Sequence, residues 1–199
     1  NLPKMNIYDE ITLIIVCFNS EKLIKKNLNE LKKFKIIIID NSKSKKTFNL
    51  VKDFKNIDYL QTNKNLGYGK ANNLGVNRAT TPFIMILNPD ILIDHRAIEI
   101  LHEKFHLYQN VGILAPSLYD NDNQRRSNGS ISRLKNKISR VSTLKHKNLA
   151  QGDACFDFVV GCCLFMRKDF FQTIGGFDSD FFMYFEDNDL CDRVYKNNK

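Results

Sequence analysis

Ile11-Thr12-Leu13-Ile14-Ile15-Val16, then Leu23, Ile24, Leu28 and Leu31 at helical spacing, then Ile36-Ile37-Ile38-Ile39-Asp40, is the pattern that decides the fold. Continuous runs rich in β-branched residues mark strands buried on both faces, as in a parallel sheet. Two such strands joined by one helix make a βαβ unit with a right-handed crossover. Ser20 is placed to cap the intervening helix. The expected fold class is therefore α/β, a mostly parallel central sheet flanked by helices in a single domain.

The pattern repeats outward from there. A third strand is expected from Asp58 to Gln61, and a Gly/Asn-rich loop from Asn65 to Gly75 leads into a helix ending near Ala79. Phe83-Ile84-Met85-Ile86-Leu87 reads as another buried strand, stopping at Asn88-Pro89-Asp90. Ala97, Ile98, Leu101, Phe105 and Tyr108 share one helical face, and Ile113 to Ala115 reads as a further strand. An apolar run from Phe156 to Met166 precedes a glycine pair, Gly175-Gly176, and the stretch Phe181-Phe182-Met183-Tyr184-Phe185-Glu186-Asp187-Asn188-Asp189. There, aromatic side chains that favour burial run straight into carboxylates that resist it. A cleft wall is the expected setting, and the first turn of a helix, which favours acidic residues, is the bland alternative.

The 199 residues suit one domain. A net charge of +8 implies anionic company: nucleotide phosphates, acidic lipid or nucleic acid. No apolar run approaches the ~20 residues that span a bilayer. The first apolar stretch is short and patterned as a strand, so no signal peptide is expected. Five cysteines without a CxxC pair read as buried thiols in a reducing, cytoplasmic compartment. Gln124 to Asn148 carries eight Lys and Arg and no acidic residue, with Ile131, Leu134, Ile138 and Val141 near helical spacing. An interfacial helix fits that pattern, and a solvated surface helix fits it equally. No nucleic-acid motif accompanies it, so nucleic acid is not an expected partner.

Asp40 and Asp90 each follow a buried strand, where ligands of open α/β sheets bind. A single carboxylate such as Asp90 suffices for magnesium, which draws its other ligands from phosphates and water. The Asn65–Gly75 loop is a candidate for phosphate or ribose contact; it is neither a Walker A loop nor a GxGxxG following the first strand. His95, His102 and His106 share one predicted helix. Without an HExxH glutamate they are expected on a solvated face, with no zinc.

Taken in order, Ile-Ile-Val-Cys-Phe-Asn-Ser, strand-Asp40-Asn41-Ser42, the Asn65–Gly75 loop, Asn88-Pro89-Asp90 and the Gly-Gly-Phe-Asp to Glu-Asp-x-Asp-Leu-Cys-x-Arg run resemble the family 2 glycosyltransferases. The resemblance is closest to the bacterial rhamnosyltransferase-like branch and covers about Ile11 to Arg193. It implies a GT-A fold, a nucleotide-sugar donor (dTDP-rhamnose or a UDP-sugar), a divalent metal (Mg2+ or Mn2+) and inversion at the anomeric carbon. By position, Asn19 and Asp40 would line the nucleoside pocket, and Asn65, Gly67 and Asn72 would lie near the donor. Asn88 and Gly161 join the substrate-binding set. Asp90 would hold the metal, Asp187 would be the general base, and Glu186 and Asp189 would position it or hold acceptor hydroxyls, with Asp189 also a partner for Arg193. The donor part would span about 11–117 and the acceptor and catalytic part about 150–199. The latter is expected to be truncated, because family members normally continue well past this motif. The acceptor would be a saccharide or lipid-linked glycan of cell-surface polysaccharide synthesis. Peripheral contact with the inner face of the plasma membrane would run through 124–148. Two rivals remain: a non-catalytic module that binds nucleotide sugar or tethers a partner at the membrane, and a sugar nucleotidyltransferase. The nucleotidyltransferase would want a Gly-rich basic loop where Cys17-Phe18-Asn19-Ser20 stands.

Overall fold

In the computed structural model, which describes residues 6–108, 110–130 and 152–197, the β-branched runs form the expected sheet. A short α1 (Ile7–Glu10) leads directly into β1 (Ile11–Cys17). There follow α2 (Glu21–Leu28), β2 (Lys35–Asp40), α3 (Lys46–Val51), β3 (Ile57–Gln61), α4 (Tyr68–Arg78), β4 (Phe83–Leu87) and α5 (His95–Leu107). Short strands β5 (Leu118–Tyr119), β6 (Arg125–Arg126), β7 (Gly129–Ser130) and β8 (Phe158–Val159) form two small ribbons. Then come β9 (Cys163–Arg167), α6 (Lys168–Thr173) and α7 (Glu186–Lys196).

The central sheet has the order β3-β2-β1-β4-β9. Its first four strands are mutually parallel, and β9 runs antiparallel to β4 on the edge. The period-two alternation of β1 sorts its side chains between two cores. Ile11, Leu13, Ile15 and Cys17 pack with Ile24, Leu28, Ile98, Leu101 and Phe105 from α2 and α5. Ile14 faces the other way and packs in the layer that holds Ala71 and Val76 of α4, Phe171 of α6, and Leu190 and Val194 of α7. Helices thus cover both faces, which is why these strands can be apolar throughout.

Several expectations shift. Ser20 does not cap α2: its hydroxyl turns back to the Phe18 carbonyl and accepts from the Phe18 N–H. The expected loop at 65–75 is mostly helix, because α4 begins at Tyr68. Ile113–Ala115 forms no strand; Leu114 makes a single antiparallel bridge to Phe165. The apolar residues 131–141 of the basic segment lie outside the described residues. Among the described residues no helix is long and apolar enough to cross a membrane.

Candidate active site

The parallel strands end together at one edge of the sheet, and the predicted residues gather there. Asp40 closes β2, fully buried and in register with Cys17 of β1. One carboxylate oxygen accepts the Ser42 N–H at 2.9 Å and the other accepts the Tyr59 hydroxyl at 2.9 Å. Burial, followed by that hydrogen bond to Asp40, pushes the Tyr59 phenol well above its usual range. Burial does the same to the Cys17 thiol, with the Asp40 charge adding to it. Asp40 therefore acts first on the chain itself, shaping the turn at 40–44. Gln61 reinforces that turn by donating to the Ser42 and Ser44 carbonyls. Asn19 lies exposed after β1 with a positive φ of 53°.

Asn41, adjacent to Asp40, is buried and joins two loops. Its amide donates to Asn65 Oδ1 at 3.3 Å and to the Gly67 carbonyl at 3.2 Å. Asn65 Oδ1 also accepts the Gly67 N–H at 3.0 Å. Gly67 sits at φ 82°, ψ 175°, a region open essentially to glycine alone. A Cβ there would stand 2.3 Å from the Phe182 carbonyl oxygen, which accepts the Tyr68 N–H at 3.1 Å. The start of α4 is thereby stitched to the aromatic stretch before α7.

A second stitch comes from Asn73, whose amide exchanges two hydrogen bonds with the Phe177 backbone, at 2.7 and 2.9 Å. It follows the turn at Gly175 and Gly176, both at positive φ. A third is Tyr68, whose hydroxyl donates to the Gly161 carbonyl at 2.5 Å. Burial pushes that phenol well above its usual range, with nearby Cys162 and Glu186 contributing. Asn72, one turn on, is fully buried; its amide donates to the Tyr68 carbonyl and its Oδ1 has no protein partner.

These stitches place the carboxylates. Glu186, Asp187 and Asp189 occupy the first turn of α7, the helix start that the sequence also allowed. Asp187 Oδ2 accepts the Gly161 N–H at 2.9 Å, and its Oδ1 accepts the Asn188 N–H at 2.9 Å. Gly161 fits tightly against this side chain: a Cβ there would lie 3.0 Å from Asp187 Cβ. Asp189 is engaged by Arg193 through two N–H groups, at 2.9 and 2.5 Å, the pairing expected from the sequence. Glu186 is buried with Oε2 lacking a protein partner; burial raises its carboxyl above the usual range, and the Asp187 charge adds to that.

Across from them, the Asn88 N–H donates to the Cys162 carbonyl at 2.8 Å, which ties the end of β4 to the residue after Gly161. Burial raises the Cys162 thiol, and the charges of Asp90 and Asp187 both raise it further. Asp187 is thus bonded to Gly161 while the end of β4 is bonded to Cys162, the next residue. Asp90 is exposed, and Asn88 Oδ1 is buried without a protein partner. A carboxylate and an amide oxygen are hard oxygen donors, the chemistry that suits Mg2+ or Mn2+.

The aromatic stretch departs from expectation. Phe182, Met183, Tyr184 and Phe185 are 57, 49, 73 and 67% exposed, and Tyr184 and Phe185 both adopt φ 69°. Phe182 is held by its carbonyl rather than its ring, so the run forms an apolar rim beside Glu186 and Asp187. Left-handed backbone at two aromatic residues costs of order 1–3 kcal/mol each and is characteristic of functional sites. Sequence reasoning also missed the roles of Asn41, Tyr68 and Asn73. The density of asparagine around glycine at 63–75 was the available signal for the last two.

Comparison with known proteins bears on the family and the fold. The profile of glycosyl transferase family 2 matches residues 12–175. A low-salt glycan biosynthesis hexosyltransferase of Haloferax volcanii is 24% identical over 212 residues, covering 98% of this chain and 64% of that protein. The rhamnosyltransferase WbbL of Escherichia coli is 28% identical over 202 residues, covering 92% of this chain and 76% of that protein. The chain thus spans about two thirds to three quarters of the length of these curated relatives. Among solved structures, a mannosyltransferase from Pyrobaculum calidifontis in complex with GDP-Man and Mn2+ superposes with a TM-score of 0.65 at 15% identity, covering 95% of this chain and 52% of that one. The fold they share is the GT-A arrangement expected from the sequence.

Proposed function

The chain belongs to glycosyl transferase family 2, and from that premise we propose that it transfers a sugar, with inversion, from a nucleoside-diphosphate sugar to a saccharide or lipid-linked acceptor of a cell-surface glycan. The observation that carries this reading is that Asp187 and the end of β4 meet on the 161–162 segment, through the Asp187–Gly161 and Asn88–Cys162 hydrogen bonds, at the edge where ligands of such sheets bind. The donor side is assigned to 11–117 and the acceptor side to 150–199. Similarity to a rhamnosyltransferase favours a deoxyhexose, with dTDP-rhamnose or a UDP-sugar as donor.

In this mechanism the acceptor hydroxyl oxygen bonds to the anomeric carbon from the face opposite the leaving group. Its proton passes to Asp187, and the bond between that carbon and the diphosphate oxygen breaks. A base must lie within hydrogen-bond reach of the proton it takes. Asp187 is oriented for this by the Gly161 N–H, while Asp189 is held by Arg193 and stays structural. Glu186, with an open oxygen beside the base, is assigned to an acceptor hydroxyl. The exposed rings at 182–185 offer apolar faces to an acceptor sugar or lipid. Asp90, with Asn88 as neutral oxygen donor, would hold Mg2+ or Mn2+; when bound, the ion neutralises charge growing on the leaving diphosphate. Asn19, Asp40, Asn65, Gly67 and Asn72 border the nucleoside and sugar. The net charge of +8 and the basic segment at 124–148 support a cytoplasmic protein resting on the anionic inner membrane face.

The test is Asp187→Asn, assayed for transfer and for donor binding. Transfer should fall by ~100-fold or more, the scale of lost general base catalysis, with donor affinity retained. A fully active variant sinks the assignment of the base.

A further inference from the structure

At the opposite edge of the sheet, Glu10, His102 and His106 converge: one ligand atom from each lies within 4.8 Å of the other two. Glu10 ends α1 directly before β1, and the two histidines are one turn apart on α5, at the i, i+4 spacing that puts both imidazoles on one face. His102 does not face solvent as the sequence led us to expect; its side chain is only 16% exposed, and that of Glu10 11%. Phe83 fixes both rings edge-on, with centroids 5.0 Å from His102 and 5.5 Å from His106.

The chemistry of one atom makes this more than a buried ion pair. His102 Nε2 lies 2.6 Å from Glu10 Oε2 and 3.2 Å from His106 Nε2. An imidazole nitrogen carries either a proton or an in-plane lone pair. It cannot donate to Glu10 and accept from His106 at once. Either one N–H is shared between Glu10 and His106, or a cation lies between the three, with both rings protonated on Nδ1 and both Nε2 lone pairs, together with the carboxylate, turned to the metal. Two imidazoles and a carboxylate with a position left for water are a donor set that suits zinc, with cobalt and nickel as close alternatives. His106 is exposed and lines a surface cavity of about 420 Å³ with Phe105 and Arg167, so water and metal have access.

We propose that Glu10, His102 and His106 form a divalent transition-metal site, separate from the donor site, that clasps α1 to α5. The separation follows from β4, which begins at Phe83 beside the cluster and ends before Asn88: five residues of strand span roughly 17 Å. The site does not depend on the proposed glycosyl transfer.

The experiment is calorimetric titration of the purified chain with Zn2+, repeated with Co2+ by visible absorption, on wild type, His106→Ala, Glu10→Gln and Asp90→Asn. One equivalent should bind, with a tetrahedral cobalt spectrum that lacks a thiolate charge-transfer band, and the melting temperature should rise. His106→Ala, a change at an exposed position, should abolish binding while the apo melting temperature stays near wild type; Asp90→Asn should bind as wild type does. Absence of zinc binding would mean that a single N–H is shared between Glu10 and His106, and would overturn the proposal. Binding that survives His106→Ala, or that shows a thiolate band, would overturn it too.

Discussion

Gly161→Ala isolates the placement of the proposed base. The added methyl carbon would stand 3.0 Å from Asp187 Cβ, with Asp187 Cγ and Oδ2 at 3.5 and 3.4 Å. Carbon atoms pack best about 3.5–4.0 Å apart, so the pair must separate by roughly 0.5 Å. The Gly161 side has little freedom, because its carbonyl is held by Tyr68 and the next residue is held by Asn88. Most of the displacement therefore falls on Asp187. A misplacement of about 1 Å can cost ~100-fold in rate, so half of that predicts roughly a tenfold loss of kcat, or about 1.4 kcal/mol in the barrier. The assay is steady-state transfer with saturating donor, beside donor titration and a thermal melt on the same preparation. The expected result is a reduced kcat with donor affinity and melting temperature close to wild type. A wild-type kcat would refute the claim that Gly161 sets the position of the base. A collapse of donor affinity in parallel would show that the segment serves the donor instead.

Three further outcomes follow from the same geometry. Gly67→Ala should destabilise the fold by about 1–3 kcal/mol from its backbone conformation alone, and the clash with the Phe182 carbonyl should release 182–185, read as faster proteolysis there. Because the Glu186 carboxyl is raised in the folded state, its charge opposes folding once the pH climbs above its unfolded value, roughly 4.3. Glu186→Gln should therefore gain stability over wild type between pH 6 and 8, as approximate bounds, and the gain should vanish as the pH falls toward 4; melts across pH decide it. Nucleoside-diphosphate binding should require Mg2+ or Mn2+, disappear with chelator, and weaken in Asp90→Ala; binding indifferent to metal would remove Asp90 from the donor site.

The sequence by itself determined the sheet. Long β-branched runs permit only strands buried on both faces, and the helical spacing between them forces parallel crossovers. It also placed Asp40, Asn88, Asp90 and the Glu186–Asp189 run at chain positions that such a topology brings to one edge. Those signals are local: they repeat every two residues or every 3.6 and are legible within a short window. Only the tertiary structure decided which carboxylate is oriented and which is spent on Arg193, that Gly161 abuts Asp187, and that the aromatic run stays exposed. It alone showed His102 turned inward to Glu10. The pairs concerned are far apart in the chain, 26 residues for Gly161 with Asp187, 93 for Tyr68 with Gly161 and 92 for Glu10 with His102. Hydrogen-bond partners at that separation are selected by how the layers pack, and no periodicity in the sequence encodes them.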